Sequence, residues 1–347
     1  MRTPPPVRSI SRRRFLGVSG FSLAAVAFSP TTVWTSRAHA RPQPAGTTWF
    51  KWEKLSDRAF VASGEGGNVL VVLGSDQAIV IDAKNPGFGR TIRREAEALG
   101  KPVRTLINTH HHFDHVGGNP AFTSDCSVIA HANARTRFEP QLQRLLDGGQ
   151  GSLTQVGRQT RAGKDQVLAD VRAFLDAKHD VAAFTPTRFI DRPDGESEKL
   201  EIGGVKIELT HVGNGHTDND LIVYLPDEDI LHGGDLLFHR VWPFVDRPGG
   251  FSSEGWIKSC ERMLEIAGEK TTVVPGHGEV SDRGIAQTQR QIFTMLREQA
   301  AAAVRNGETR EKFIARPYAF MEDYAAADWI KPITLGGVYD EAAKAPL

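Results

Sequence analysis

The sequence predicts an α/β protein, strand-rich with interspersed helices and repeated as two similar halves. Three observations carry this. Short β-branched, apolar runs recur along the chain, as in "VRTLI" (Val103 to Ile107). Segments with apolar residues at three- and four-residue spacing alternate with them. In each half, apolar strands run into His or Asp residues with glycine neighbours. With 24% charged and 40% hydrophobic residues, the composition is that of an ordinary globular enzyme and excludes collagen-like, coiled-coil and low-complexity chains.

The elements follow in order. "SRRRFLG" (Ser11 to Gly17) fits the twin-arginine export pattern except that Gly17 stands where a Lys is usual. The apolar run Phe15 to Phe28 behind it is shorter than the ~18 residues of a membrane-spanning helix. "AHA" (Ala38 to Ala40) then offers a cleavage site before Arg41. Residues 1–40 are therefore expected to be a signal peptide handled by the twin-arginine translocase. The mature chain, 41–347, is expected as one domain in the periplasm or outside the cell. Its 36 basic and 42 acidic side chains repel phosphate, which argues against nucleic acid as a partner.

"RAFVAS" and "GGNVLVVLGSDQAIVIDAK" read as strands, the second a hairpin ending in Asp82. "GRTIRREAEALG" is a helix closed by Gly100. Next come the strand Val103 to Ile107, the cluster "NTHHHFDHVGG" and the strand "CSVIAHA". Residues from about 132 to 182 read as inserted helices. "LEIGGVKIELTHV" is a hairpin turned at Gly203-Gly204 and "LIVYLPDEDILHGGDLL" a second, turned around Pro226 to Glu228. "SEGWIKSCERMLEIAG" is a helix, "TTVVPGHG" a strand entering a tight turn, and a last amphipathic helix carries Ile285, Ile292 and Leu296. A helical tail occupies about 300–347. Cys126 and Cys260 have no metal-ligand spacing and could pair or stay as buried thiols.

One histidine after a strand is usually a hydrogen-bonded core residue. Here His110, His112, Asp114, His115, His216, Asp235 and His277 share the same strand-end setting. This series resembles the metal ligands of the metallo-β-lactamase superfamily, and Asp82 matches that family's structural aspartate. The resemblance spans about residues 55–300. It implies a four-layer αβ/βα sandwich of two mixed β-sheets with helices outside and metals at one edge. It also implies two zinc ions per chain. His110, His112 and His216 would hold one, Asp114, His115 and His277 the other, and Asp235 would bridge them. Such a pair brings a water to hydroxide near neutral pH to attack a carbonyl, and Asp114 or a nearby water can shuttle the proton. The expected substrate is a small molecule with an ester, thioester or lactone group.

The alternative is a β-lactam. Asp235, however, stands where one lactamase subclass has a metal-binding Cys, and Phe238 stands where that subclass has a carboxylate-holding Lys. An iron-dependent persulfide dioxygenase needs only three ligands, and flavin-associated di-iron relatives carry Glu in place of His112. A non-catalytic binding protein would be expected to lose ligands. After Asp235, "RVWPFVDRPGGF" (Arg240 to Phe251) suggests an apolar wall, with His239, Trp242, Phe244 and Arg247 (or Arg240) near substrate. His111, His211 and His232 are expected behind the ligands, and His131 and His179 in the core or on the surface.

Overall fold

A computed structural model describes residues 48–344. The segment expected to be a signal peptide, residues 1–40, lies outside these residues. Strands β1 (Lys51–Lys54), β2 (Ala59–Ser63), β3 (Val69–Leu73) and β4 (Ala78–Ile81) form an antiparallel meander. Helix α1 (Gly89–Glu97) then crosses over, so that β5 (Val103–Ile107) pairs parallel with β4. The one-turn helix α2 (Phe113–Val116) follows, and β6 (Ser127–His131) extends the parallel part. Two helices, α3 (Phe138–Gly157) and α4 (Lys164–Asp176), precede the edge strand β7 (Arg188–Ile190), which completes a seven-stranded mixed sheet.

The second sheet starts with the hairpins β8 (Ser197–Ile202) to β9 (Val205–Thr210) and β10 (Ile222–Leu225) to β11 (Ile230–His232). After α5 (Ser253–Ile266), β12 (Thr272–Val274) pairs parallel with β11, giving the order β12-β11-β10-β9-β8. The helices α6 (Gly284–Arg305), α7 (Arg310–Ile314) and α8 (Ile330–Ala342) follow.

Period-two alternation decides the layers. Leu70, Val72, Ile79 and Ile81 of the first sheet meet Ile207, Leu209 and Val223 of the second in a buried core between the sheets. The alternate residues Val69, Val71 and Val80 pack outward against Ile92 and Ala96 of α1 and Val167 and Val171 of α4. On the far side, Ile222 and Leu231 pack beneath Trp256 and Met263 of α5 and Phe293 and Leu296 of α6. The result is helices, sheet, sheet, helices, as expected. Cys126 and Cys260 are free buried thiols in opposite outer layers. Among the described residues no helix is long and apolar enough to cross a membrane.

Candidate metal centre

Parallel pairing brings the carboxyl ends of β4 and β5 to one edge, and those of β11 and β12 to the same edge from the other sheet. Asp82 follows β4, the His110–His115 cluster follows β5, Asp235 follows β11 and His277 follows β12. His216 arrives from the loop between β9 and β10. Asn68 joins the two halves there: its amide donates to Pro275 O and Gly278 O, both at 2.9 Å. Gly276 has to be glycine, because a Cβ would lie 2.0 Å from Asp235 Oδ1.

The seven donors converge. His110, His112, His216 and Asp235 form one group, and Asp114, His115 and His277 another, with the ligating atoms of each group within 4.8 Å of one another. Asp235 lies between them. Its Oδ1 is 3.0 Å from His115 Nε2, and its Oδ2 is 3.6 Å from His216 Nε2 and 3.4 Å from His277 Nε2.

The outer nitrogens reveal which tautomers are held. Asp82 accepts from Thr109 N and Thr109 Oγ1 at 2.8 Å each, and from His115 Nδ1 at 2.7 Å. With its proton given to Asp82, the Thr109 hydroxyl can only accept from His110 Nδ1, 3.1 Å away. His112 Nε2 donates to Asp246 Oδ2 at 2.8 Å, and His216 Nδ1 to Phe244 O at 2.9 Å. All four imidazoles are thereby anchored through the outer nitrogen with the inner nitrogen turned into the cluster, the orientation that metal-ligating histidines adopt.

Three inner atoms, His110 Nε2, His115 Nε2 and Asp235 Oδ1, are buried without a hydrogen-bond partner. His216 Nε2 and His112 Nδ1 face each other at 2.9 Å. Unpaired buried lone pairs are costly unless a cation or proton satisfies them, so the donor set fits a cation. Electrostatics agree. Burial, together with His115 and His112, holds His110 well below the ordinary imidazole pKa, and burial with His112 brings His216 down to about 3. Both are neutral ligands at pH 7. For His115 burial opposes charge, but Asp235, Asp114 and Asp82 outweigh it and raise the pKa.

Other expected residues fall differently. His239 is half-exposed at the rim, with Nδ1 donating to Glu279 O at 2.8 Å. Phe244 packs edge-on against His112 and His216, with centroids at 5.7 and 6.3 Å. Trp242 is instead buried in the outer core, under the Lys331 ammonium and against Tyr318. Arg247 is paired with Asp340. Of the residues expected near substrate, core packing engages Trp242 and an ion pair engages Arg247. Phe238 stacks flat on His277 at 5.3 Å. Among the remaining histidines, His111 accepts from Asn219 Nδ2 at 2.8 Å, and His232 accepts from Gly234 N at 3.0 Å beside Asp235. His131 and His211 stack on each other at 3.8 Å. Half-exposed His179 lies against Phe174 and Phe184.

Sequence reasoning missed Asp246 and Thr109. Thr109 adjoins a ligand, which could have signalled it, whereas Asp246 lies in a loop 134 residues from the histidine it holds.

Comparison with known proteins places this geometry. Residues 62–277 match the family model of the metallo-beta-lactamase superfamily. The chain belongs to that superfamily. It is 37% identical over 237 residues to a "Metallo-beta-lactamase type 2" of Bacillus cereus, covering 68% of this chain and 73% of that one. A "Linear primary-alkylsulfatase" of Pseudomonas sp. is 26% identical over 235 residues, 62% of this chain and 43% of its own length. Among solved structures, a metallo-beta-lactamase from Pontibacter korlensis superposes with a TM-score of 0.52 at 18% identity, over 71% of this chain and 99% of its own. The stereoselective inverting sec-alkylsulfatase of Pseudomonas sp. superposes with a TM-score of 0.60 at 17% identity, over 84% and 50%. These two share the fold. The protein is a metal-binding hydrolase of the metallo-beta-lactamase superfamily with an αβ/βα sandwich.

Proposed function

We propose that this superfamily member is a dinuclear zinc hydrolase acting on a carbonyl group (ester, thioester or lactone) of a small molecule. The observation that carries the reading is the division of seven donors into two groups with Asp235 between them. Imidazole and carboxylate donors suit zinc. Zinc, when bound, supplies Lewis-acid activation of water and of the carbonyl. His110, His112 and His216 would hold one ion, Asp114, His115 and His277 the other, and Asp235 would bridge.

The chain's own residues do the rest. Burial alone would raise Asp114, but His115 and His277 outweigh it and hold the carboxyl below its ordinary range. Asp114 Oδ2, 3.1 Å from His277 Nε2, is thus ionised and placed to take a proton from the attacking water. Phe244 covers one side of the cluster and limits access of bulk water. We also infer that residues 1–40 direct twin-arginine export of a mature chain that forms one domain in the periplasm or outside the cell. The support is "SRRRFLG" followed by an apolar run and "AHA". Changing Arg12 and Arg13 to Lys would then leave the folded protein in the cytoplasm; efficient export of that variant would overturn the inference.

A β-lactam is the second reading, favoured by the 37% identity with the Bacillus cereus protein. Against it, Phe238 has no charge with which to hold a β-lactam carboxylate, and Arg247 is already paired with Asp340. A charge-assisted contact of that kind is worth about 1.5–3 kcal/mol, roughly 10- to 150-fold. On zinc-loaded protein, kcat/KM for a simple lactone or thioester should exceed that for a penicillin by at least about that factor. An alkyl sulfate completes the comparison. A preference for the penicillin or the sulfate would overturn the carbonyl-ester reading.

A further inference from the structure

The superfamily match ends at His277, but the chain continues, and its last helix returns to the metal centre. The contact runs through the loop after Asp235. Trp242 N donates to Ala325 O and Ala325 N to Arg240 O, both at 2.9 Å. Thr334 Oγ1 donates to Pro243 O at 2.5 Å, and Arg247 pairs with Asp340. The loop held in this way carries Phe244, whose carbonyl holds His216, and Asp246, which holds His112.

From the ligands outward the aromatic surface is continuous. The Phe244 ring lies 5.7 Å from that of His112, and the Trp329 ring lies 5.8 Å beyond, edge to face. Trp329 is 39% exposed and Ile333, one helical turn further on, 40%; they are the exposed large hydrophobic residues among those described. Spacing of i and i+4 puts the two on one face of the helix. Together they extend the apolar surface that begins at the ligands with Phe244. An apolar group lying on Trp329 is within reach of the reaction centre, because the Trp329 surface is joined to it by Phe244.

We propose that Trp329, with Ile333, is a specificity-determining wall that takes the apolar acyl or alkyl chain of the substrate, and that helix α8 is therefore part of the active site. The proposal rests on the reading of the His/Asp cluster as the reaction centre. It assigns the substrate class more narrowly: a carbonyl compound with a medium-length aliphatic chain, the carbonyl at the metals and the chain across Phe244 and Trp329.

The test uses the full mature protein loaded with zinc and titrated calorimetrically with butanoate, hexanoate and octanoate, carboxylates that mimic the acid product. In the wild type, each added methylene should tighten binding roughly two- to fourfold, the partly exposed version of full CH₂ burial. Trp329→Ala should weaken octanoate at least about fivefold while moving butanoate less than about twofold, and Trp329→Phe should restore most of the loss. Chain-length dependence equal in wild type and Trp329→Ala, or absent from the wild type, overturns the proposal. Hydrolysis of esters of every chain length tried is measured alongside. Chain-dependent binding without turnover of any ester, thioester or lactone removes the hydrolase reading and leaves the wall. Turnover that ignores both chain length and Trp329 does the reverse.

Discussion

Asp246 is bonded to one ligand, His112, and only part of its side chain reaches solvent. Asp246→Asn keeps the shape but replaces a charge-assisted bond by a neutral one, so His112 becomes a weaker and less firmly oriented donor. Zinc affinity is expected to fall by about 10- to 100-fold, read by competition with a chromophoric chelator, and an unchanged affinity would show that the bond contributes nothing to the metal. Lys84 supplies a prediction of another kind. Fully buried, it donates to Ala62 O at 2.7 Å and Gly67 O at 2.8 Å. Burial lowers its pKa from 10.5 to about 7, against the pull of Glu65 and Asp82. A neutral amine has two N–H groups, which matches the two carbonyls. Between pH 7 and 10.5 the unfolded chain binds a proton that the folded chain does not, so stability rises with pH across that window and is flat below it. Compared with Lys84→Met, the wild type should gain up to about 4 kcal/mol between pH 7 and pH 10 in urea unfolding. A constant difference would mean that Lys84 stays charged. Neither residue was legible beforehand. The ligands announce themselves by strand-end position and glycine neighbours, whereas Asp246 and Lys84 owe their roles to contacts made only after folding.

The hairpins turned at Gly203-Gly204 and around Pro226 to Glu228 were legible because their turn residues dictate backbone geometry locally. Helix lengths were less so. The inserted helices expected over about 132–182 carried no bounds of their own, and α3 runs through the glycine pair Gly148 and Gly149 to Gly157. The reason is interhelical: a Cβ at Gly149 would lie 2.6 Å from Phe174 Cε1 and 2.8 Å from Leu175 Cδ2 at the α4 end. Close approach of the two helices outweighs the ~1 kcal/mol that glycine costs inside a helix. Gly149→Val should therefore destabilise by about 1–3 kcal/mol through overpacking, although valine is the better helix former. Urea unfolding measures this, and a neutral or stabilising result would mean that the helices can part without cost. The α8 stretch "WIKPITLGGVYDEA" lies in the helical tail expected at about 300–347, but its sequence shows no one-sided apolar pattern. Thr334 to Val338 are buried consecutively because α8 packs against α6, α7 and the Pro243–Arg247 loop together, which erases the one-sided pattern.

At the scale of the whole molecule the seven donors come from both halves of the sandwich. His110, His112, Asp114 and His115 follow a strand of the first sheet, and His216, Asp235 and His277 belong to the second. Direct ties between the halves at this edge include the Asn68 amide to Pro275 O and Gly278 O, Leu221 N to Thr109 O at 2.7 Å, and the His112–Asp246 and His111–Asn219 bonds. A bound cation adds to them by satisfying inner atoms that otherwise lie buried and unpaired, His110 Nε2 and His115 Nε2 from one half and Asp235 Oδ1 from the other. Binding of this kind stabilises the folded state by mass action, since the unfolded chain does not assemble the donors. With free metal at about 100 times Kd the gain is about 2.7 kcal/mol per ion, and a chain of this size shifts its melting point by roughly 2–4 °C per kcal/mol. Stripping the protein with a chelator should thus lower Tm by roughly 5–10 °C for each ion removed, and restoring zinc should reverse the shift. Asp235→Ala, which takes one anionic donor from both groups, should bind about one ion instead of two and show the smaller part of that shift. If the stripped protein melts at the temperature of the loaded one, the donors are already satisfied by one another, and the sheet core and the direct hydrogen bonds hold the two halves without the ions.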